Sequence, residues 1–352
     1  AGIAKIVQDF NAEGMTGAKD PGISELKWEL YNELLKEGKL TVRVFALWAG
    51  PRKLDEAAAV MARINAQPRP PQTLGDGLLV SGGVKMYMDG SGGARTAWMH
   101  EDWNKNLNDV DTGNVGYPAT PPDQYRTMAI NFHKAGVHVS THAIGDRAID
   151  WVVDTYAQAL AAKPTKGLRH GVIHANTPTD HAIDEMARLQ RDFDAAYPEA
   201  SASFMWWIGD NYAGNFGPMR NPRMKPFRTW QRKGIRWAGG SDYSVTPFAA
   251  RYGLWASVAR ETLYGTYGKT PFGLEEAVDV KTALRSYTIW AAHQIFLDDR
   301  VGSIEVGKEA DLAVWDRDPY TVPTAALKDM KAELTLVKGR AVYRGEAFAA
   351  VK

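Results

Sequence analysis

The sequence predicts an α/β fold in which parallel strands and helices alternate around a barrel, with a small β domain at the C-terminal end. Three observations lead to this prediction. Apolar periodicity alternates between short strand-like and longer helix-like stretches in seven successive units. The length of 352 residues fits one large α/β domain of about 250 residues plus an appendage. Beyond residue 298 the pattern changes to short strands punctuated by glycine.

Each element follows from the local pattern. The seven predicted barrel strands are Met15–Lys19, Thr41–Trp48, Val84–Asp89, Val137–His142, Gly171–His174, Ser201–Trp206 and Ile235–Asp242. Helices lie between them, as in the segment that begins at Thr120 and Pro121 and ends at Gly136. A last barrel helix is predicted near Leu274–Leu297. The short strands of the small domain are Gly302–Gly307, Ala310–Asp316, Glu333–Lys338 and Arg340–Arg344. The barrel therefore spans 1–298 and the small β domain spans 299–352.

Composition excludes several classes of function. The chain carries 42 Lys+Arg and 41 Asp+Glu, and this balance argues against a nucleic-acid-binding protein, which usually has a strongly basic face. The sequence contains no run of about 18 apolar residues, the length needed to span a bilayer. We therefore expect a soluble protein, cytoplasmic or periplasmic. Cysteine is absent, so any metal must be held by His, Asp, Glu or a modified Lys.

Ionisable side chains lie on four predicted strands. Residues two apart share a strand face, so Lys85 points into the barrel while the apolar residues beside it point toward the helices. His142, His174 and Asp242 each end a strand. The carboxyl ends of parallel strands meet at one mouth, where buried ionisable groups are costly unless they are paired or bound to a metal. The sequence therefore predicts a functional cluster at this mouth.

Other candidate residues have less specific signals. Arg95, His100, Trp206, Trp207 and Tyr243 lie near predicted strand ends and are candidates for substrate contact, with loop packing as an equally good interpretation of each. The lone histidines His133, His138 and His293 are interpreted as hydrogen-bonded structural residues. The glycine-rich segment Gly90–Arg95 lacks the third glycine of a dinucleotide-binding loop, so we do not expect it to bind phosphate.

Four motifs together resemble the amidohydrolase superfamily, specifically the amidohydrolase 3 branch that includes N-substituted formamide deformylases. They are Gly83–Ser91 (GVKMYMDGS), Thr141–Asp146 (THAIGD), Gly240–Asp242 (GSD) and Gly302–Asp316 (GSIEVGKEADLAVWD). The likeness extends from about Gly14 to Arg344. It implies a TIM-like (β/α)8 barrel with a metal centre, together with a small β-sandwich to which both ends of the protein contribute.

The resemblance also implies roles for the strand-end residues. Lys85 matches the lysine that carbon dioxide converts to a carbamate bridging two metals. His142 and His174 match the ligands of one metal, and Asp242 matches the aspartate that binds the other metal and transfers a proton. The implied cofactors are one or two divalent ions, of which zinc suits two imidazoles. The implied reaction is hydrolysis of a C–N bond in an amide, formamide or cyclic amide of a small-molecule substrate by a metal-bound hydroxide.

One part of the family pattern is missing. The family's first strand ends in a His-x-His pair, and none of the eight histidines forms one. Only seven strands are predicted. We therefore expect the first strand to come from a longer gene product or from a second polypeptide, and a homo-oligomer is also compatible. Because a barrel without one strand has two unpaired edges, we expect this chain to be unstable alone or to bind a partner. We also expect weak or absent catalysis by this chain alone.

Two other functions stay open. The chain is alternatively a non-catalytic remnant that binds a small ligand or a partner subunit through the same mouth, and metal content would discriminate this case. Lys85 would alternatively form a Schiff base in a lyase, and borohydride trapping of a substrate would detect it.

Overall fold

Seven parallel strands form one curled sheet in the computed structural model, which describes residues 2–103 and 113–350. Residues 1 and 104–112 of the predicted barrel and residues 351–352 of the predicted small domain lie outside the described residues. The strands follow chain order across the sheet. They are β1 (Gly17–Ile23), β2 (Arg43–Ala49), β3 (Leu79–Tyr87), β4 (Val139–Ala143), β5 (Gly171–His174), β6 (Tyr197–Ala200) and β7 (Ala238–Gly239). The prediction of seven parallel strands is confirmed.

Helices connect successive strands and pack their apolar faces into the main hydrophobic core. Those up to β6 are α1 (Gly2–Ala12), α2 (Glu25–Lys36), α3 (Ala57–Asn65), α4 (Pro122–Lys134), α5 (Asp146–Ala162) and α6 (Asp180–Phe193). Those after β6 are α7 (Phe204–Trp207), α8 (Gly209–Arg220), α9 (Phe227–Arg232), α10 (Ala250–Ala259), α11 (Val280–Tyr287) and α12 (Ile289–Gln294). None of these helices has the length and apolar character needed to cross a bilayer.

The strand register brings the carboxyl ends of β3, β4 and β5 level with one another. Lys85 on β3 is paired with Ser140 on β4, and Tyr87 is paired with His142. The next residue of β4, Ala143, is paired with His174 at the end of β5. Parallel pairing with this register puts the last side chains of three strands at the same rim of the sheet.

A separate antiparallel sheet forms near the C-terminal end. Its strands are β8 (Leu312–Trp315), β9 (Ala332–Val337) and β10 (Arg340–Arg344), in the order β10-β9-β8. Buried Arg43 at the start of β2 donates to Asp311, just before β8, at 2.7 Å. Thr335 on β9 donates to the Asn11 carbonyl of α1 at 2.7 Å. The small sheet is thus attached to the large sheet through Arg43 and to helix α1 through Thr335.

Four sequence predictions about elements are wrong in detail. The sixth strand is Tyr197–Ala200 and not Ser201–Trp206, because the short aromatic run Phe204–Trp207 is a helical turn, which periodicity alone does not distinguish from a strand. The segment Gly302–Gly307 is not a strand, and its Ile304 and Val306 are exposed.

The other two differences concern helix ends. The helix predicted near Leu274–Leu297 is a short turn, Leu274–Glu276, followed by α11 and α12, which are separated at Thr288 by non-helical backbone. Helix α4 begins at Pro122 with Pro121 at its N-cap position, one residue later than the predicted start, and its apolar residues Tyr125, Met128, Ala129 and Phe132 are buried.

The large sheet is open between β1 and β7. Within the described ranges, no backbone pairing joins these two strands, and each has a partner on one side.

Candidate functional site

Lys85 lies on β3 with its side chain directed into the interior of the curled sheet. The residue is 4% exposed, and its Nζ lies 4.7 Å from the centre of the Tyr87 ring. Among the described residues, no carboxylate or hydrogen-bond acceptor contacts this Nζ. Burial lowers the pKa of Lys85 to about 8, although the charges of Glu199 and Asp242 oppose the shift. The uncharged fraction of this amine near neutral pH is therefore larger than that of an exposed lysine.

Two imidazoles lie side by side at the ends of β4 and β5. The ring centres of His142 and His174 are 4.6 Å apart, with the rings nearly perpendicular. Burial and then the charge of Lys85 lower the pKa of His142 to about 3. Burial lowers the pKa of His174 well below its usual value, with further contributions from His142 and Lys85. Both rings are therefore neutral at physiological pH, which is the form that binds metals.

The hydrogen bonds identify the free ring nitrogens. His142 Nε2 lies 2.8 Å from the carbonyl oxygen of Gly90, so it donates a proton there and leaves the lone pair on Nδ1. The Nδ1 atom of His174 is buried and has no hydrogen-bond partner among the residues described. A buried nitrogen without a partner costs about 1–3 kcal/mol unless something binds it.

Asp242 lies just after β7, on the solvent-exposed rim. Partial desolvation by the surrounding sheet raises the pKa of its carboxyl, while the charges of Lys85 and Lys225 act in the opposite direction. Asp242 is thus within electrostatic reach of Lys85. The structure therefore brings Lys85, His142 and His174 to one rim, and the charge of Asp242 acts on Lys85 there.

The donor set determines which metal site these residues fit. No group of three or more His, Asp or Glu side chains in residues 2–103 and 113–350 is arranged to hold a metal ion. The cluster offers two neutral imidazoles, one amine and one carboxylate. A carbamate on Lys85 would add anionic oxygens, and with the unpartnered His174 nitrogen the set then fits a divalent ion such as zinc.

Asp89 has a larger part in the site than the sequence analysis gave it. Its buried carboxylate accepts backbone N–H groups from Trp98 at 2.9 Å, Ile144 at 3.0 Å and Gly145 at 2.8 Å. Burial raises the pKa of Asp89 to about 7 despite these bonds. The carboxylate ties the segment after β3 to the one after β4 and lies 3.5 Å from His142 Nε2. In the sequence, the spacing of four residues from Lys85 indicates that Asp89 shares the strand face of Lys85 and points toward the site.

A polar network fills the interior below the site. Lys19 Nζ on β1 donates to Glu199 on β6 at 2.8 Å, to Ser140 at 2.8 Å, and lies 3.0 Å from His138 Nε2. Both charged side chains are largely buried. Lys19 and Glu199 are not predictable as partners from local sequence because they are 180 residues apart.

The substrate candidates fall into two groups. Trp207 and Tyr243 line a cavity of about 410 Å³ together with Phe248 and Tyr252. Trp206 does not line this cavity and packs behind it, with its ring centre 4.8 Å from that of Tyr252.

Arg95 and His100 are held by other side chains. Arg95 donates from Nε to Asn215 at 3.0 Å, and His100 Nε2 lies within hydrogen-bond distance of Asp150, at 2.8 Å.

The three histidines interpreted as structural all make hydrogen bonds. His133 lies 2.8 Å from the Lys163 carbonyl, and His138 lies 2.8 Å from the Leu168 carbonyl. The ring nitrogens of His293 lie 2.7 Å from the carboxylate of Asp298 and 2.7 Å from that of Asp194.

Comparisons with known proteins concern the family and the fold of the chain. A model of the amidohydrolase family matches residues 1–343. The chain is 26% identical over 339 residues to the N-substituted formamide deformylase of Arthrobacter pascens, covering 95% of this chain and 58% of that protein. It is 28% identical over 266 residues to the putative amidohydrolase YtcJ of Bacillus subtilis, covering 74% of this chain and 47% of that protein.

A solved structure has the same fold. The uncharacterised metal-dependent hydrolase from Pyrococcus horikoshii is 22% identical, with a TM-score of 0.74 over 92% of this chain and 60% of that one. The chain thus spans about half to three-fifths of the length of these relatives.

Proposed function

Since this chain belongs to the amidohydrolase family, we propose that it acts as a metal-dependent hydrolase on a C–N bond of an amide, formamide or cyclic amide. One observation carries the proposal: Lys85, His142 and His174 lie near the carboxyl ends of the adjacent strands β3, β4 and β5, and Asp242, just after β7, is close enough for its charge to act on Lys85. The relative named as a formamide deformylase supports the choice of bond.

Lys85, His142 and His174 would hold one divalent ion, zinc being the best match to two imidazoles, and Asp242 would contribute to a second. When bound, such an ion lowers the pKa of a water molecule and polarises the carbonyl of the substrate. The uncharged amine of Lys85 would attack carbon dioxide, forming an N–C bond and releasing a proton, so that the side chain becomes an anionic carbamate. Burial favours this step because only the neutral amine is nucleophilic.

Asp242 would move the proton. Its raised pKa and its place on the solvent-exposed rim suit a carboxylate that accepts a proton from water and passes it to the leaving amine. The neighbouring aromatic cavity would receive the substrate, with Trp207 and Tyr243 in contact and Trp206 behind them. Arg95 and His100 remain candidate contacts only if substrate displaces their present partners, Asn215 and Asp150.

The open edges of β1 and β7 raise the question of what closes the barrel. We propose that the barrel (1–298) is closed between β1 and β7 by an eighth strand, supplied by a longer gene product or a second polypeptide, and that 299–352 forms part of a composite sandwich. The unpaired edges and the greater length of the relatives support this arrangement. The His-x-His pair of the family would enter with that strand. Oligomerisation of this chain would be the alternative way to cover the edges.

The experiment is a metal analysis combined with an amide-hydrolysis screen on a product that includes the closing strand. We expect two zinc ions per molecule and hydrolysis that disappears in Lys85→Met, with exposed Lys233→Met as the matched control. A metal-free protein without amide hydrolysis after loading with zinc and bicarbonate would refute the proposal.

Two observations favour other functions, and the same protein tests them. A buried lysine with a lowered pKa also suits a Schiff-base lyase, and borohydride would then trap a carbonyl substrate on Lys85. The lack of a ready cluster of three metal ligands in the described ranges favours a non-catalytic binder of a small ligand or partner. Such a binder would take up no zinc.

A further inference from the structure

Lys225 is a fully buried lysine beside the candidate site that has no part in the mechanism above. The residue is 0% exposed. Within residues 2–103 and 113–350, no carboxylate lies within salt-bridge distance of its Nζ. Taking an ammonium out of water without a counter-ion is unfavourable unless its donors are used. The contacts of Lys225 therefore identify what it does.

The Lys225 side chain holds the turn that follows β5. Its Nζ donates to the carbonyl oxygen of His174 at 3.1 Å and to Oδ1 of Asn176 at 2.5 Å. The backbone N–H of Lys225 donates to the Asn176 carbonyl at 2.7 Å. One residue thus binds the segment 174–176 at three acceptors.

This turn has a backbone that needs support. His174 has φ of 74° and Ala175 has φ of 43°, and neither is a glycine. The backbone of a residue other than glycine rarely adopts this left-handed conformation, and it does so where the surrounding structure holds it there. The backbone conformation at His174 also determines where its Cβ and imidazole point. A turn that relaxed would therefore move the ring away from His142, whose centre lies 4.6 Å away.

Lys225 is itself fixed on its other sides. The buried guanidinium of Arg260 donates to the Lys225 carbonyl at 3.1 Å and to the Met224 carbonyl at 2.8 Å. The Phe204 ring stacks on the His174 ring with centres 5.5 Å apart, and its centre lies 5.4 Å from Lys225 Nζ. The Lys225 amine, the Phe204 ring and the His174 imidazole thus form one packed unit.

We propose that Lys225 is a positioning residue that locks the left-handed turn after β5 and so fixes the direction in which His174 presents its imidazole to the site. The consequence for metal binding rests on the proposed function, whereas the effect on the ring does not. Lys225 touches neither Lys85 nor His142 in the described contacts, so its contacts reach the site through His174, while its charge also acts on Asp242.

The test compares Lys225→Met with Lys233→Met, which removes an exposed lysine that pairs with Asp184 on the surface. Imidazole spectra of ¹⁵N-histidine-labelled protein report the ring directly. We expect the His174 signals to shift or broaden in Lys225→Met and to stay unchanged in Lys233→Met. The affinity for cobalt(II) in bicarbonate should fall about 10- to 100-fold in Lys225→Met, the usual effect of losing a residue that orients a ligand. Lys225→Arg, which keeps the cationic donors, should restore most of it.

Unchanged His174 signals and unchanged cobalt affinity in a folded Lys225→Met protein would overturn the proposal. If Lys225→Met does not fold, Asn176→Ala removes one acceptor and should change the His174 signals in the same direction by less; no change there would also overturn it. Failure of the proposed function looks different. Wild-type protein would then bind no cobalt, while the His174 spectra would still respond to Lys225→Met.

Discussion

The buried ion pair between Lys19 and Glu199 offers a direct test of how the interior is held together. Its atoms are 2.8 Å apart, and the two side chains are only 13% and 12% exposed. Removing one partner leaves the other charge buried without compensation, which typically costs 3–5 kcal/mol. Because slight exposure reduces that penalty, we expect Lys19→Met to lower the free energy of unfolding by about 3 kcal/mol. Glu199→Gln should cost about the same.

A double-mutant cycle measured by urea denaturation and tryptophan fluorescence separates the pair from its surroundings. The double variant should cost little more than either single variant, which gives a coupling energy of about 2–3 kcal/mol. The exposed pair Lys233–Asp184 is the matched control and should contribute less than about 1 kcal/mol. If each single variant lowers the free energy of unfolding by less than about 1 kcal/mol, and the two effects simply add, the buried pair does not stabilise the interior as expected.

Three further predictions concern stability. Burial lowers the pKa of His138 and His170 well below the usual value, so the unfolded chain takes up more protons, and the free energy of unfolding should fall as pH falls below about 6.5; a flat profile from pH 7.5 to 5.5 would contradict this. Although burial opposes it, two carboxylate hydrogen bonds raise the pKa of His293, so its stabilisation is present below about pH 6.5 and lost as pH rises through the raised value. His293→Gln should therefore cost more at pH 6 than at pH 9 in urea denaturation, and an equal cost at both would count against it. Arg43→Met should cost about 3–5 kcal/mol because it leaves buried Asp311 unpaired, and a loss below about 1 kcal/mol in thermal or urea unfolding would exclude that role.

The strands that carry the site were the easiest to predict. β5 has the predicted bounds Gly171–His174, and the alternation around Lys85 correctly gave a buried, inward-facing lysine. Both results depend on local sequence, since the side-chain period of a strand is two residues. Family membership also followed from local motifs, and the match over residues 1–343 confirms it.

Features that depend on distant residues were not predictable in this way. Ser201–Trp206 was misassigned because a short aromatic run has no period of its own, and only pairing of Tyr197 with Gly171 identifies the strand. Lys225 gave no signal, since its role depends on a turn 49 residues away in the chain. The left-handed backbone at His174 is likewise a result of packing and not of residue type.

The decisive measurement is the zinc content of the purified chain with bicarbonate present. We expect at least one tightly held zinc per chain that is lost in Lys85→Met and in His174→Ala, while Lys233→Met retains it. Zinc at background level in the wild-type chain, or zinc that persists when both Lys85 and His174 are replaced, would contradict the assignment of these residues to a metal centre.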